Sequence, residues 1–597
     1  MLSSLDLGVI GNCAFGALID DIGNIVWCCL PRFDGDPIFC QLLNGAHTDP
    51  GAPGIYKVEL IDRVRSEQEY IKNTAVLVTR LYDKAGGAVE ITDFAPRFMQ
   101  LGRIFRPTTI VRIVRPLSGE PRVRMVLRPA HGYGAHRPEI TRGSNHIRYI
   151  SPPITLRLTT NAPLAFVLDE TPFFLEEPLT LILGPDESLT RPIIETGREF
   201  LENTVEYWRR WSRTLALPLE WQSAVIRAAI TLKLCSFEET GGIIAAMTTS
   251  IPESADSGRN WDYRYCWLRD SFFVVRALNR LGAVITMEDY LRYLTNIVGT
   301  ADRGRLQPVY GIALERRLPE RQVDTLPGYR GMGPVRVGNQ AHEHHQHDVY
   351  GHVVLAACQA FFDERLFRPA GLDIYRHLEA VGDRAFELHD KPDAGLWELR
   401  GKVRVHTNSV LMCWAACDRL AKIAERLGLP ARRRHWQTRA GKIRDVLLAR
   451  AWNAELNTFV DCFDGTEVDA SLLLMEEVGF LSADDPRFVG TLAAIEKRLR
   501  RGSHLMRYDK PDDFGVPENA FTICTFWFIE ALAAAGRREE AREMFNDVLA
   551  CRNRLGLLSE DIDPSSNELW GNFPQTYSLV GLIHCAMRLS RPWEEAL

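Results

Sequence analysis

The chain has 597 residues, 46% of them apolar and 25% charged, with a formal net charge of −6. That length exceeds one ordinary hydrophobic core and implies two domains, one of them large, while so mild a charge offers no field for nucleic acid or an anionic membrane. The first arginine is Arg32 and no apolar run approaches the roughly 20 residues of a membrane span, so a secretory signal and a transmembrane helix are not expected and a cytoplasmic location is the simplest reading.

From Leu7 to about Leu189 apolar residues recur with a period near two, interrupted by turn residues, as in antiparallel strands. Alternating runs flank Asp21-Ile22-Gly23-Asn24, Lys84-Ala85-Gly86-Gly87 and Ser118-Gly119-Glu120-Pro121, three hairpin signals. A β-sandwich over residues 1–195 buries such half-apolar strands. A helical linker is expected over 196–218, where Phe200, Val205, Trp208 and Trp211 follow a capping Thr196 at helical separations. Residues 219–597 read as roughly a dozen helices joined by unequal loops. A ring of helical hairpins with its functional loops at one end suits this pattern. A solenoid competes with it, but no fixed-period repeat is present. The thirteen cysteines have no C-x-x-C spacing and read as reduced, mostly buried thiols.

Three loops carry the candidate chemistry. "ESADSGRNWDYRYCWLRDS" (253–271) concentrates Trp261, Tyr263, Tyr265 and Trp267 among Asp262, Arg264, Arg269 and Asp270. Flat rings stack on sugars, and Asp and Arg bond vicinal hydroxyls in pairs, so the mixture suits a carbohydrate subsite. An aromatic core with satisfied ion pairs has the same composition. In "GLWELRG" Glu398 adjoins Trp397, and a carboxyl desolvated by an indole is kept protonated as a general acid. In "GLLSEDIDPSSNELWGNFPQTYS" Glu560, Asp561, Asp563 and Glu568 precede Trp570. A solvated loop would also carry these acids, and the spacing lacks the glycine-centred loop of a calcium site.

In chain order these segments, with "GNCAFGALIDDIGNIVWCCLPRFD", "PVRVGNQA", "HDVYGHV", "VDASLLL" and "FGVPENAFTICTFWFIEAL", resemble glycoside hydrolase family 15 in its bacterial two-domain branch of trehalases, glucoamylases and related α-glucosidases. The resemblance implies a β-sandwich followed by an (α/α)6 toroid. It places the general acid at Glu398 and the general base at Glu560, with Arg269 and Asp270 holding hydroxyls of the sugar in subsite −1. Trp261, Tyr265, Trp267, Gln346, Asp348, Trp397, Arg400 and Trp570 are the further substrate-binding candidates. The implied reaction is inverting hydrolysis of an α-glucoside, with the two carboxyls roughly 6.5–9.5 Å apart. α,α-Trehalose is the first expected substrate and maltooligosaccharides or isomaltose the second. An inverting phosphorylase or a noncatalytic sugar-binding protein is remoter, because both acids are present. No cofactor is required by the sequence, although some trehalases of this branch respond to phosphate and magnesium. The expected partner is a small α-glucoside, and a homo-oligomer is compatible with the sequence.

The stretch "NQAHEHHQHDVYGHV" (339–353) departs from the family, whose Q-L-Q-L-D before V-Y-G-E becomes H-H-Q-H-D before V-Y-G-H. Gln346 and Asp348 match and are expected near the cleft. The zinc-protease pattern H-E-x-x-H fails at Gln346 where a second His is needed. His344, Asp348 and His352 would share one helical face at i, i+4 and i+8, but no open-site logic accompanies them and no metal is expected.

Overall fold

The computed structural model describes residues 4–45 and 51–596. The period-two segments form two antiparallel sheets. One holds seven strands, Gly8–Gly11, Gly16–Ile19, Ile25–Leu30, Asp36–Phe39, Ile55–Leu60, Arg122–Arg128 and Phe173–Phe174. The other holds eight, in spatial order Glu139–Arg142, His146–Ile150, Leu156–Thr160, Leu179–Pro185, Ile110–Ser118, Ala88–Phe94, Leu77–Asp83 and Arg63–Tyr70. Their inward residues, among them Ile10, Tyr56, Val58, Leu77, Ile91, Val114 and Leu181, make one buried core.

The turns at 21–24 and 84–87 close hairpins as their sequences predict. The turn at 118–121 does not. Ile110–Ser118 pairs with Ala88–Phe94 and Leu179–Pro185, whereas Arg122–Arg128 pairs with Ile55–Leu60 in the other sheet. A turn sequence fixes a reversal of the chain, but which partner each strand takes depends on the apolar faces available to it.

The helix expected as a linker runs Ile193–Arg213, starting ahead of Thr196, whose hydroxyl donates to Pro192 O at 3.0 Å from inside the first turn. Its Phe200, Leu201 and Val205 cover the outer face of the eight-stranded sheet with Val76, Phe94, Val111 and Ile182, so it is a packed layer as well as a connection.

Beyond it, helices Ser271–Arg280, Asp348–Phe362 and Thr407–Arg426, the 3-10 turn Ala470–Leu473 with the short helix Leu474–Glu477 that continues it, and helices Thr522–Ala534 and Thr576–Leu589 touch in succession and close a ring. Gln222–Leu234, Val284–Gly299, Leu372–Leu388, Pro430–Arg450, Pro486–Leu499 and Arg538–Ala550 surround it. Inner helices are buried nearly all round, as Thr522–Leu532 is, while an outer helix such as Leu372–Leu388 buries one stripe. The expected toroid is therefore the fold observed. All thirteen cysteines are free thiols, buried except for half-buried Cys358. Among the described residues no helix is long and apolar enough to cross a membrane.

The sandwich meets the toroid at the loop end of the ring. Trp27 Nε1 donates to Met247 O at 2.8 Å. Buried Arg264 donates to Gly35 O at 2.8 Å, to Tyr133 Oη at 2.9 Å and to both carboxylate oxygens of Asp262. Loops of the first domain thereby fix the backbone that leads into Tyr265, Trp267 and Arg269.

Candidate active site

A cleft of about 780 Å³, counting its space open to solvent, lies at that end of the ring. Trp261, Arg269, Trp397, Glu398, Arg400 and Glu560 line it, so the three loops marked by composition converge.

Glu398 sits in a tight loop with φ of +58° at Glu398 and +67° at Gly395. A Cβ on Gly395 would lie 2.6 Å from the His406 ring, so this position needs glycine for space as well as for its left-handed backbone. Glu398 Oε1 accepts from Trp267 Nε1 at 2.7 Å and from Arg269 Nη1 at 3.0 Å. Arg269 also donates to Leu396 O at 3.0 Å and to Asp270 Oδ1 at 3.3 Å. The expectation that Trp397 desolvates Glu398 is corrected here. The Trp397 N–H goes to Asp469 Oδ2 at 2.8 Å, and its ring packs on Tyr508, Phe521 and Trp527. The indole that reaches Glu398 is Trp267, through its polar edge.

Glu560 is held by a small sheet of Ala520–Phe521, Asp561–Ile562 and Leu569–Trp570. Its N–H donates to Asn572 O at 3.1 Å and its carbonyl accepts from Thr522 N at 2.9 Å. Oε1 accepts from Tyr263 Oη at 2.5 Å, and Oε2 from Asn572 N at 3.2 Å. Gly571, at φ +73°, passes so close that a Cβ there would meet Glu560 Cβ at 2.6 Å and Oε2 at 2.8 Å. Burial pushes the Glu560 carboxyl up to about 8 and the Glu253 charge pushes the same way, against the Tyr263 and Asn572 hydrogen bonds and the Arg507 charge. Neighbouring Asp561 is also buried and raised, with Oδ2 unpartnered.

Other predicted residues lie behind the cleft surface. Trp267 and Asp270 act as its support, with burial raising Asp270 to about 6. Tyr265 is packed with Ala245, Val309, Leu318 and Ala341. Trp570 lies against Tyr329 and Arg330, away from the lining. Both therefore read as framework in this structure, since both rings are buried away from the cleft. Gln346 and Asp348 are buried with their side-chain polar atoms unpartnered, and burial raises Asp348 to about 6.

The shared histidine face is not formed. His344 ends a short 3-10 turn over Gln340–Glu343, and the helix starts only at Asp348. His344 lines the cleft, whereas buried His352 has its Nε2 3.6 Å from Asp348 Oδ2. Burial lowers His347 to about 4 and His352 to about 3, so both are neutral. Among the described residues no group of three or more His, Cys, Asp or Glu is placed to hold a metal ion.

Sequence reasoning missed the loop 507–514. Arg507, Tyr508, Asp512, Asp513 and Phe514 line the cleft with Glu253 and Arg259. Glu253 accepts from Trp261 Nε1 at 3.0 Å and pairs with Arg507. Arg259 forms a fork with Asp512 at 2.5 and 2.7 Å. The signal was present, because "RYDKPDDF" has the same mixture of Arg, Asp and aromatic residues as the first loop.

An (α/α)6 ring whose cleft opens on Glu398 and Glu560, each with separate donors, is an arrangement that suits a glycoside hydrolase. The model for glycosyl hydrolases family 15 matches residues 221–587, and one for a trehalase-like N-terminal domain matches residues 6–161. The chain belongs to glycoside hydrolase family 15. It is 32% identical to a trehalase of Thermoplasma volcanium over 99% of this chain and 93% of that protein. It is 31% identical to a trehalase of Mycolicibacterium smegmatis, over 99% and 92%. A solved bacterial glucoamylase complexed with acarbose superposes with a TM-score of 0.71 at 14% identity, covering 98% of this chain and 94% of that one, which establishes the two-domain fold.

Proposed function

We propose that this protein hydrolyses α,α-trehalose with inversion, Glu398 acting as general acid and Glu560 as general base. The observation that carries the roles is that both carboxyls open on one cleft while being held by different donors, Trp267 and Arg269 on one side and Tyr263 and Asn572 on the other. The full-length relatives named as trehalases support the substrate.

In the reaction Glu398 gives its proton to the glycosidic oxygen as the C1–O bond breaks. Glu560 takes a proton from the water that attacks C1 from the opposite face. The products are one β-glucose and one glucose released as the leaving group, and both carboxyls regain their starting state by exchange with solvent. Arg269, fixed by Asp270, holds the nonreducing glucose and the acid in one frame, so binding energy is realised at the oxocarbenium-like transition state. Tyr577 lines the cleft with its hydroxyl unpartnered and is available to a sugar hydroxyl.

Glucose release from trehalose, maltose, isomaltose and maltotriose, with the anomer followed by NMR, tests the reading. Trehalose should be cleaved best, giving β- and α-glucose in equal amounts before mutarotation. Preference for a maltooligosaccharide would replace the substrate assignment, and initial release of α-glucose alone, with no β-glucose, would refute inversion.

A further inference from the structure

One residue outside the cleft lining joins the loop of the proposed acid to its surroundings. Glu320 lies in the stretch 302–338, whose Arg- and Pro-rich sequence suits either a solvated loop or a substrate-covering lid. No residue of 302–338 lines the cleft. Instead Arg321–Val323 pairs with Val335–Val337, and Gly328 bridges to Asn44 of the first domain, so the stretch is a fixed brace.

From that brace the Glu320 carboxylate, mostly buried at 13% side-chain exposure, receives three groups. Arg400 donates to it at 2.9 and 3.3 Å, Arg336 Nη1 at 3.0 Å and Gln340 N at 3.1 Å. Desolvation opposes its charge, but Arg400, the Gln340 N–H and Arg336 overcome it and hold the carboxyl below its usual range. Held in this way, the Arg400 guanidinium lies 4.5 Å from the centre of the Trp261 ring, and Phe514 meets that ring edge-on at 5.2 Å. The Arg400 and Gly401 N–H groups are tied independently to Asp513, at 2.7 and 3.1 Å. The loop of Glu398 thus has its own backbone anchor, while the Arg400 side chain has Glu320.

We infer that Glu320 is a positioning residue which, by fixing Arg400 over Trp261, builds a plus-side wall shaped for a single sugar. The inference rests on the proposed disaccharide hydrolysis and adds what limits the leaving group to one glucose. A guanidinium held 4.5 Å from the centre of an indole offers donors to sugar hydroxyls, and in the inferred wall it takes space that a longer glucan would need. Without Glu320 the Arg400 side chain is free to leave the ring, while the donors to Glu398 and Glu560 do not involve Glu320.

The test compares Glu320→Ala, Arg400→Ala and the double variant with wild type. Two substrates are used: the disaccharide that wild type cleaves best, and α-glucosyl fluoride, which fills subsite −1 and carries almost nothing on the plus side. Wild-type cleavage of trehalose itself tests the earlier proposal, independently of these comparisons. Glu320→Ala should lose about 10- to 100-fold in kcat/KM on the disaccharide, chiefly through KM, with fluoride hydrolysis changed by less than about threefold. The double variant should be no worse than Arg400→Ala, because the two act as one unit. The selectivity for disaccharide over maltotriose should fall, and Glu320→Asp should restore part of it. Equal losses on both substrates, additive effects in the double variant, or an unchanged KM would each overturn the inference.

Discussion

As the proposed base, Glu560 can accept a proton only when ionised, so on that proposal the hydrogen bond from Tyr263 sets how much active enzyme exists at a given pH. The phenol donates to Oε1 at 2.5 Å and favours the carboxylate against a burial that pushes the group up to about 8. A hydrogen bond to a charged group contributes about 1.5–3 kcal/mol. At 1.36 kcal/mol per unit its loss corresponds to about one to two pKa units. Tyr263→Phe should therefore raise the Glu560 pKa by that amount and cut the ionised fraction at neutral pH by about 10- to 100-fold. The cleanest assay uses Glu398→Gln as background and α-glucosyl fluoride as substrate, since fluoride leaves without being protonated. With the acid absent, kcat/KM from about pH 5 to 10 should show one ascending limb, owed to Glu560. Its midpoint is expected near 8 and should move upward when Tyr263→Phe is added. A midpoint in the ordinary carboxylate range, a flat profile, or no movement with Tyr263→Phe would refute the reasoning.

The remaining predictions concern the same frame. Glu398→Gln should lose about 10²- to 10⁴-fold on trehalose while keeping most of its α-glucosyl fluoride activity, whereas Glu560→Gln should fail on both; the reverse pattern would exchange the roles. Gly571→Ala forces a Cβ against Glu560 at a left-handed position and should cost about 100-fold in kcat, together with a lower Tm, as checked by steady-state kinetics and thermal melts. Asp270→Asn removes one of the two carboxyls that Arg269 meets, so both kcat and affinity should fall; an effect on KM alone would mean that Asp270 only binds. Because the folded Glu560 pKa lies above its unfolded value, this group stabilises the fold least once pH exceeds about 8 and imposes no penalty below the unfolded value. Glu560→Gln should accordingly raise Tm relative to wild type at pH 8.5 and have little effect near pH 4, where both proteins are neutral at this site.

The order of elements, and the motifs that carry Glu398 and Glu560 to one cleft, were legible in the chain itself. Strand alternation, helical periodicity and turn residues are local properties, and the motifs around Trp261, Glu398 and Glu560 keep their order regardless of how they are brought together. Tertiary structure decided everything that depends on approach between distant segments. It sent Ile110–Ser118 and Arg122–Arg128 to different sheets across a turn that looked like a hairpin. It paired Glu398 with the indole of Trp267 instead of its sequence neighbour Trp397, because a left-handed backbone aims the carboxyl at a loop 131 residues away. It also brought the loop 507–514 into the cleft and set Glu320 beneath Arg400. Periodicity reports which face of an element is apolar, whereas hydrogen bonds between loops depend on where the closed ring places their ends, and that distance is written in no short stretch of sequence.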